Sequence, residues 1–166
     1  MSKNIIGTIR EVAGIKWRVL DKTENGYLCI TEDSIGNMKF DNRCNDWRKS
    51  ELREYLNTVF RKKLEDAGAK LVEFERDLLS LDGQTEYGTC KDFVSLLTHH
   101  EYQKYRKMLP NKDYWWWMIT SWSTPCNDLK DLLAVVAPSG SIYDDFCDDD
   151  CGVRPVCIFD SSIFES

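Results

Sequence analysis

Four of the chain's six tryptophans fall between Tyr114 and Trp122, in the run Tyr114-Trp115-Trp116-Trp117-Met118-Ile119-Thr120-Ser121-Trp122. A packed large aromatic hides roughly 150–250 Å² of surface, so such a run demands layers that cover it. Met118, Ile119 and Thr120 suit an extended backbone. The run therefore predicts a central strand buried on both faces, with Trp115, Trp116 and Trp117 as interior scaffold. Residues N-terminal to it must supply cover, and residues C-terminal to it must supply strands that pair with it.

The length of 166 residues fits a single domain, 1–166, and a hydrophobic share of 42% is enough for a core without crosslinks. A net charge of −6 argues against direct nucleic-acid binding, which needs a basic face, but leaves open an acidic surface that imitates nucleic acid. No apolar run approaches the roughly 20 residues needed to cross a bilayer, and no long apolar segment comes after Met1-Ser2-Lys3-Asn4. The expectation is a cytoplasmic protein, or one of a phage particle, with no membrane association. Seven cysteines cannot all pair with one another, and reduced, mostly buried thiols are expected.

Alternation predicts a first strand over 5–9 and a hairpin from Ile15–Leu20 and Tyr27–Thr31. Leu52, Tyr55, Leu56, Val59, Phe60 and Leu64 mark the buried stripe of an amphipathic helix. Ser50 is placed to cap its start and Gly68 to close its end, with Trp47 packing back onto it. The segment 71–81 reads as strand or irregular packed chain, and 84–91 as a loop. Thr98 and Glu101 form a capping box, with Leu97 and Tyr102 as its staple, and predict a second helix that ends before Pro110-Asn111. Strands are expected over 132–136, 141–146 and 153–159, with Pro138-Ser139-Gly140 as a turn. Strands at both ends with two helices between them give an α+β fold with a mostly antiparallel sheet and long loops.

The order of these signals resembles an uncharacterised bacterial and phage domain family of the C-type-lectin-like group. The resemblance rests on Trp47…Ser50…Leu52-Arg53…Leu56-Asn57…Phe60, on Asp92-Phe93-Val94-Ser95-Leu96-Leu97, on Trp115-Trp116-Trp117 and on Gly152-Val153-Arg154-Pro155. It covers about residues 5–159 and is a likeness of fold, which says little about function. It implies terminal strands lying side by side, two helices packed on them, and binding through loops between the tryptophan strand and the Gly-Val-Arg-Pro strand. The family's Leu-Arg after the tryptophans is absent, since Met118-Ile119-Thr120 stands there, and the Glu-Pro-Asn and Trp-Asn-Asp motifs of calcium-dependent sugar binding do not occur.

Within that loop region the candidate contact residues are Trp122, Asn127, Asp128, Tyr143, Asp144, Asp145, Asp148, Asp149 and Asp150. The carboxylates read either as a solvated charged loop, the favoured reading, or as an acidic contact face for a partner. Asp148, Asp149 and Asp150 are also a weak calcium candidate, without the spacing of an EF-hand loop. Trp122 is as well suited to core packing as to a contact. Cys147 and Cys151 bracket the acidic triplet; a disulfide is one alternative there, and free thiols are the favoured state. His99 and His100 are adjacent and diverge on a helix, which suits no shared metal. Arg154 is expected to be buried, structural and paired with an acid from a helix or with Asp92.

No catalytic constellation and no cofactor motif emerges. The leading reading is a non-catalytic module that binds a protein or a glycan. The runner-up is a small acidic phage-type inhibitor that imitates nucleic acid and blocks a host defence nuclease or another basic partner. The third is an enzyme of the formylglycine-generating group, which would need a reactive cysteine pair in a cleft.

Overall fold

The computed structural model describes residues 4–164. Strand β1 (Ile9–Val12) turns through Ala13-Gly14 into β2 (Ile15–Lys22), followed by β3 (Gly26–Thr31) and the short β4 (Asn37–Lys39). The first helical segment is continuous: α1 (Glu51–Tyr55), a π-helical turn (Leu56–Phe60) and α2 (Arg61–Asp66). Then come β5 (Leu71–Val72), β6 (Phe74–Asp77), β7 (Thr89–Asp92), α3 (His99–Tyr105), β8 (Trp116–Ser121), β9 (Leu132–Val136), β10 (Ile142–Phe146), β11 (Asp150–Gly152) and β12 (Val156–Asp160).

These strands form a five-stranded sheet in the order β1-β2-β3-β12-β5, a second in the order β10-β9-β8-β11-β4, and the hairpin β6-β7. Every pairing is antiparallel except β11 with β8. The fold is therefore α+β and mostly antiparallel. Alternate residues of both sheets feed two cores. Trp17, Val19, Cys29, Trp117, Leu133, Cys157 and Phe159 join the helix residues Leu52, Leu56, Phe60 and Leu64 in one. Leu20, Leu28, Ile30, Trp116, Met118, Ala134, Val156 and Ile158 join Tyr102 and Tyr105 of α3 in the other. All six residues of β8 are buried, as its composition predicts.

Several elements follow from local chemistry. Ser50 Oγ accepts from Arg53 N at 3.0 Å and caps α1. Gly68 takes φ +96°, and the bonds Gly68 N to Glu65 O and Ala69 N to Leu64 O, both 3.0 Å, close α2 in a Schellman motif. The π turn keeps Leu52, Leu56, Phe60 and Leu64 aligned at intervals of four, where an α-helix of about 3.6 residues per turn would rotate them out of register. That turn carries Val59 outward, to 60% exposure, instead of into the predicted stripe. The capping box of Thr98 and Glu101 is present at the start of α3. Trp47 is buried beside Phe40, with ring centroids 5.6 Å apart.

Other expectations are corrected. The first strand covers Ile9–Val12, while Ile5 is buried outside any strand. The terminal strands are not side by side: β12 pairs with β3 and β5, and β2 and β3 lie between it and β1. The expected loop over 84–91 contributes Thr89, Cys90 and Lys91 to β7, which pairs with β6. The last strand begins at Val156, and Asp150 opens β11 opposite Lys39. Trp115 is 43% exposed and belongs to the surface, while Trp116 and Trp117 are interior.

Arg154 is fully buried but finds no carboxylate. Its Nε and Nη2 donate to the carbonyls of Thr31 and Glu32, each at 3.1 Å, and its guanidinium lies 4.6 Å from the Trp116 ring centroid. Nη1 has no partner. Asp92, the expected acid, is already held by Trp47 Nε1 and Arg53 Nε, both at 2.7 Å. Burial lowers the Arg154 pKa.

Candidate functional site

The second sheet ends in β10, an edge strand whose residues pair with β9 from Ile142↔Val136 to Phe146↔Leu132 without a register shift. The turn after it carries Asp148 and Asp149 into β11. Because β10 alternates, Tyr143 and Asp145 share one face, and Ile142, Asp144 and Phe146 share the other. Tyr143 is 50% exposed and Phe146 52%. Trp115, at the start of the tryptophan run, meets Tyr143 edge to face with centroids 5.5 Å apart. Trp115 and Tyr143 thus stand on the face of Asp145, Phe146 stands on the face of Asp144, and Asp148, Asp149 and Asp150 follow in the turn.

The carboxylates are not equivalent. Asp145 Oδ1 accepts from Phe146 N at 2.8 Å, and its Oδ2 accepts from Cys151 Sγ at 3.2 Å. A hydrogen bond to Asp145 and the charge of that neighbour raise the Asp149 pKa. Asp144, Asp148, Asp149 and Asp150 are exposed. None of the five carboxylates makes an ion pair among the described residues. Among those residues, no group of three or more His, Cys, Asp or Glu is placed to hold a metal; Asp148, Asp149 and Asp150, the calcium candidate, lie exposed in the turn and the start of β11.

The remaining predicted contact residues separate from this face. Asn127 donates to Asp82 Oδ2 and Ser123 Oγ, each at 3.1 Å, and so belongs to the loop after β6. Asp128 is exposed in the left-handed conformation, φ +58°, ending the short turn Pro125–Asn127. Trp122 is half-buried against the second core, and its backbone N–H donates to Leu132 O. Sequence reasoning missed Trp115 and Phe146 as surface rings. A count of alternation back from buried Trp117 does not reveal the exposure of Trp115, because a single strand does not show where its covering layer stops.

Burial raises the pKa of five of the seven thiols. All seven cysteines are free. Burial pushes Cys90 up to about 11 and Cys147 up to about 12, and raises Cys29, Cys151 and Cys157 as well. A nucleophilic thiol needs the opposite shift. His99 is buried against Thr120, and its ring lies tilted against that of His100, with centroids 4.0 Å apart.

Two grooves lie elsewhere. One, of about 450 Å³, is lined by Arg48, Lys49, Arg53, Arg61 and Lys91. Its cations are largely committed: Arg48 pairs with Asp46, Arg53 with Asp92 and Arg61 with Glu65, while Glu54 and Glu73 line the same groove as the two lysines. No excess of positive charge remains for an anionic ligand. The other, of about 460 Å³, runs between Ile15, Ile35, Tyr55 and Phe60, with Lys16, Asp33 and Lys63 among its lining.

Comparison with known protein families, with curated proteins and with solved structures gives no match.

Proposed function

We propose that this protein is a non-catalytic binding module on a C-type-lectin-like scaffold, which recognises a protein or a glycan at the β10 edge, through the Trp115–Tyr143 ring pair and the carboxylates of 144–150. One observation carries the reading: the Trp115–Tyr143 ring pair, exposed and braced edge to face, stands beside carboxylates that have no cationic partner among the described residues. Aromatic surfaces of this kind anchor contacts at little cost in conformational entropy. Carboxylates beside rings suit either sugar hydroxyls or a cationic protein surface. The scaffold assignment draws support from the order of sequence signals and from the α+β arrangement of two helical segments with mostly antiparallel sheets.

The experiment is a screen of glycan and protein arrays with the wild-type protein and with Trp115→Ala/Tyr143→Ala. The reading predicts ligands bound by the wild type and lost in the variant, with the variant still cooperatively folded in thermal denaturation because neither ring belongs to the core. Ligands retained by the variant would overturn it.

A second reading, an acidic inhibitor of a basic partner, is favoured by the clustering of five carboxylates within seven residues of a chain with net charge −6. It predicts binding that weakens steeply with salt and survives loss of the rings.

A further inference from the structure

We infer that the outer edge of β10 takes up an extended, basic polypeptide segment as an added strand of the second sheet. This rests on the reading above, that the face carrying Trp115 and Tyr143 is where a partner docks.

The hydrogen-bond phase of β10 is fixed at both ends. Ala137 N donates to Ser141 O at 2.9 Å, and Cys147 N donates to Asp131 O at 2.8 Å. In an antiparallel ladder residues alternate between bonding inward and facing outward. Ser141, Tyr143, Asp145 and Cys147 therefore bond toward β9, and Ile142, Asp144 and Phe146 present their N–H and C=O groups to the open side. Phe146 is already satisfied, because its N–H reaches Asp145 Oδ1 at 2.8 Å and its carbonyl accepts from Asp149 N at 3.1 Å. Ile142 and Asp144 remain, two outward pairs of donor and acceptor about 7 Å apart. That is the rail an added strand needs.

Natural sheets guard such edges with charge, proline, bulges or a cover. Here β10 has no proline, pairs in regular register with β9, and shows Tyr143 and Phe146 at half exposure. Carboxylates alone would serve as guards, but exposed rings beside a free rail do not. The charge then selects the occupant. Asp144 marks one face of the strand and Asp145 the other, so side chains on both faces of an incoming strand meet a carboxylate. The rings of Tyr143 and Trp115 add surfaces on which lysine or arginine can stack. A glycan has no alternating backbone donors and acceptors to match the rail, and nucleic acid is repelled.

The test is selection from a displayed library of random octapeptides, then resynthesis of an enriched peptide with and without N-methylation of alternate backbone amides. Enriched peptides should carry lysine or arginine on both faces of the strand. The unmethylated peptide should slow amide exchange at Ile142 and Asp144 by at least about tenfold, with little change at Tyr143 and Asp145, which are already bonded. N-methylation of the alternate amides that face β10 should abolish binding. A peptide that binds equally well when methylated in either register, or leaves Ile142 and Asp144 unprotected, would overturn strand addition while leaving the docking face intact if Trp115→Ala/Tyr143→Ala still removes binding. Enrichment that is unchanged in that double variant would overturn both.

Discussion

The guanidinium of Arg76 holds both carboxylate oxygens of Glu101, with Nη1 2.8 Å from Oε2 and Nη2 2.5 Å from Oε1. The same glutamate closes the capping box of α3, where Thr98 N donates to Oε1 at 3.0 Å. Arg76 also donates to Ser95 Oγ and to Leu96 O. One buried pair thus ties the β6-β7 hairpin to the start of α3, and α3 in turn is pinned to the tryptophan strand by His99 N donating to Thr120 Oγ1 at 3.0 Å.

Removing one partner of this pair strands the other. Arg76→Met should cost about 3–5 kcal/mol in urea denaturation, the usual penalty for leaving a buried charge unpaired. Arg154→Met leaves only two carbonyls without a donor, and it removes a cation that never had a carboxylate. It should cost less than Arg76→Met by about 2 kcal/mol. Equal losses would contradict the assignment of the two arginines. Burial raises the Glu101 pKa, but the charge and hydrogen bonds of Arg76 outweigh it and leave the group below its usual value. The pair's contribution should be complete above the unfolded value of 4.5 and decline as pH falls through the lower folded value.

The β1-β2 hairpin turns on Ala13 and Gly14, with φ +57° and +74°. Alanine in the left-handed region is strained, and asparagine tolerates it better. Ala13→Asn should stabilise the protein by about 0.5–1 kcal/mol, read as a rise in the denaturation midpoint. A fall would show that the partly buried methyl of Ala13 matters more than its backbone.

Burial, with His100 alongside, lowers the His99 pKa below 6.5, and Asp77 opposes the shift. A depressed histidine pKa leaves stability intact above the unfolded value and removes it as pH falls toward the folded one. The melting temperature should therefore decline below about pH 6.5, and His99→Gln should flatten that part of the profile. An unchanged slope in the variant would place the titration elsewhere.

Thiol labelling provides a check on packing. Cys126 is exposed, Cys44 and Cys90 are half-buried, and the other four are buried. One thiol per molecule should react with an aromatic disulfide reagent at once, up to two more slowly, and the rest only on unfolding. Fast labelling of Cys147 or Cys151 would contradict the packing described for the acidic turn.

Much of this architecture was legible where a residue's role is local. Ser50, Gly68 and the Thr98–Glu101 box act within a few residues of their own position, and the structure places them as their spacing predicts. Long-range events were not legible. Thr89–Asp92 is polar and becomes a strand only because Phe74–Asp77 lies opposite. Arg154 was expected to seek a carboxylate, but Arg53 and Trp47 occupy Asp92 first. The acidic, aromatic stretch after Gly140 stood out in sequence. Asn127 and Asp128 did not join it, because Asp82 and Ser123 hold Asn127 elsewhere, and Trp115 did, because it meets Tyr143 across the sheet.

The central claim is that recognition runs through the rings and carboxylates at the β10 edge. The most direct measurement compares the affinity of wild type, Trp115→Ala/Tyr143→Ala and Lys49→Ala/Lys91→Ala for one ligand taken from the array screen. The account predicts a loss of at least about tenfold in the ring variant, as expected when aromatic anchors are truncated, with no change in the lysine variant and all three folded at the temperature of the measurement. Full affinity in the ring variant, or loss confined to the lysine variant, would contradict it.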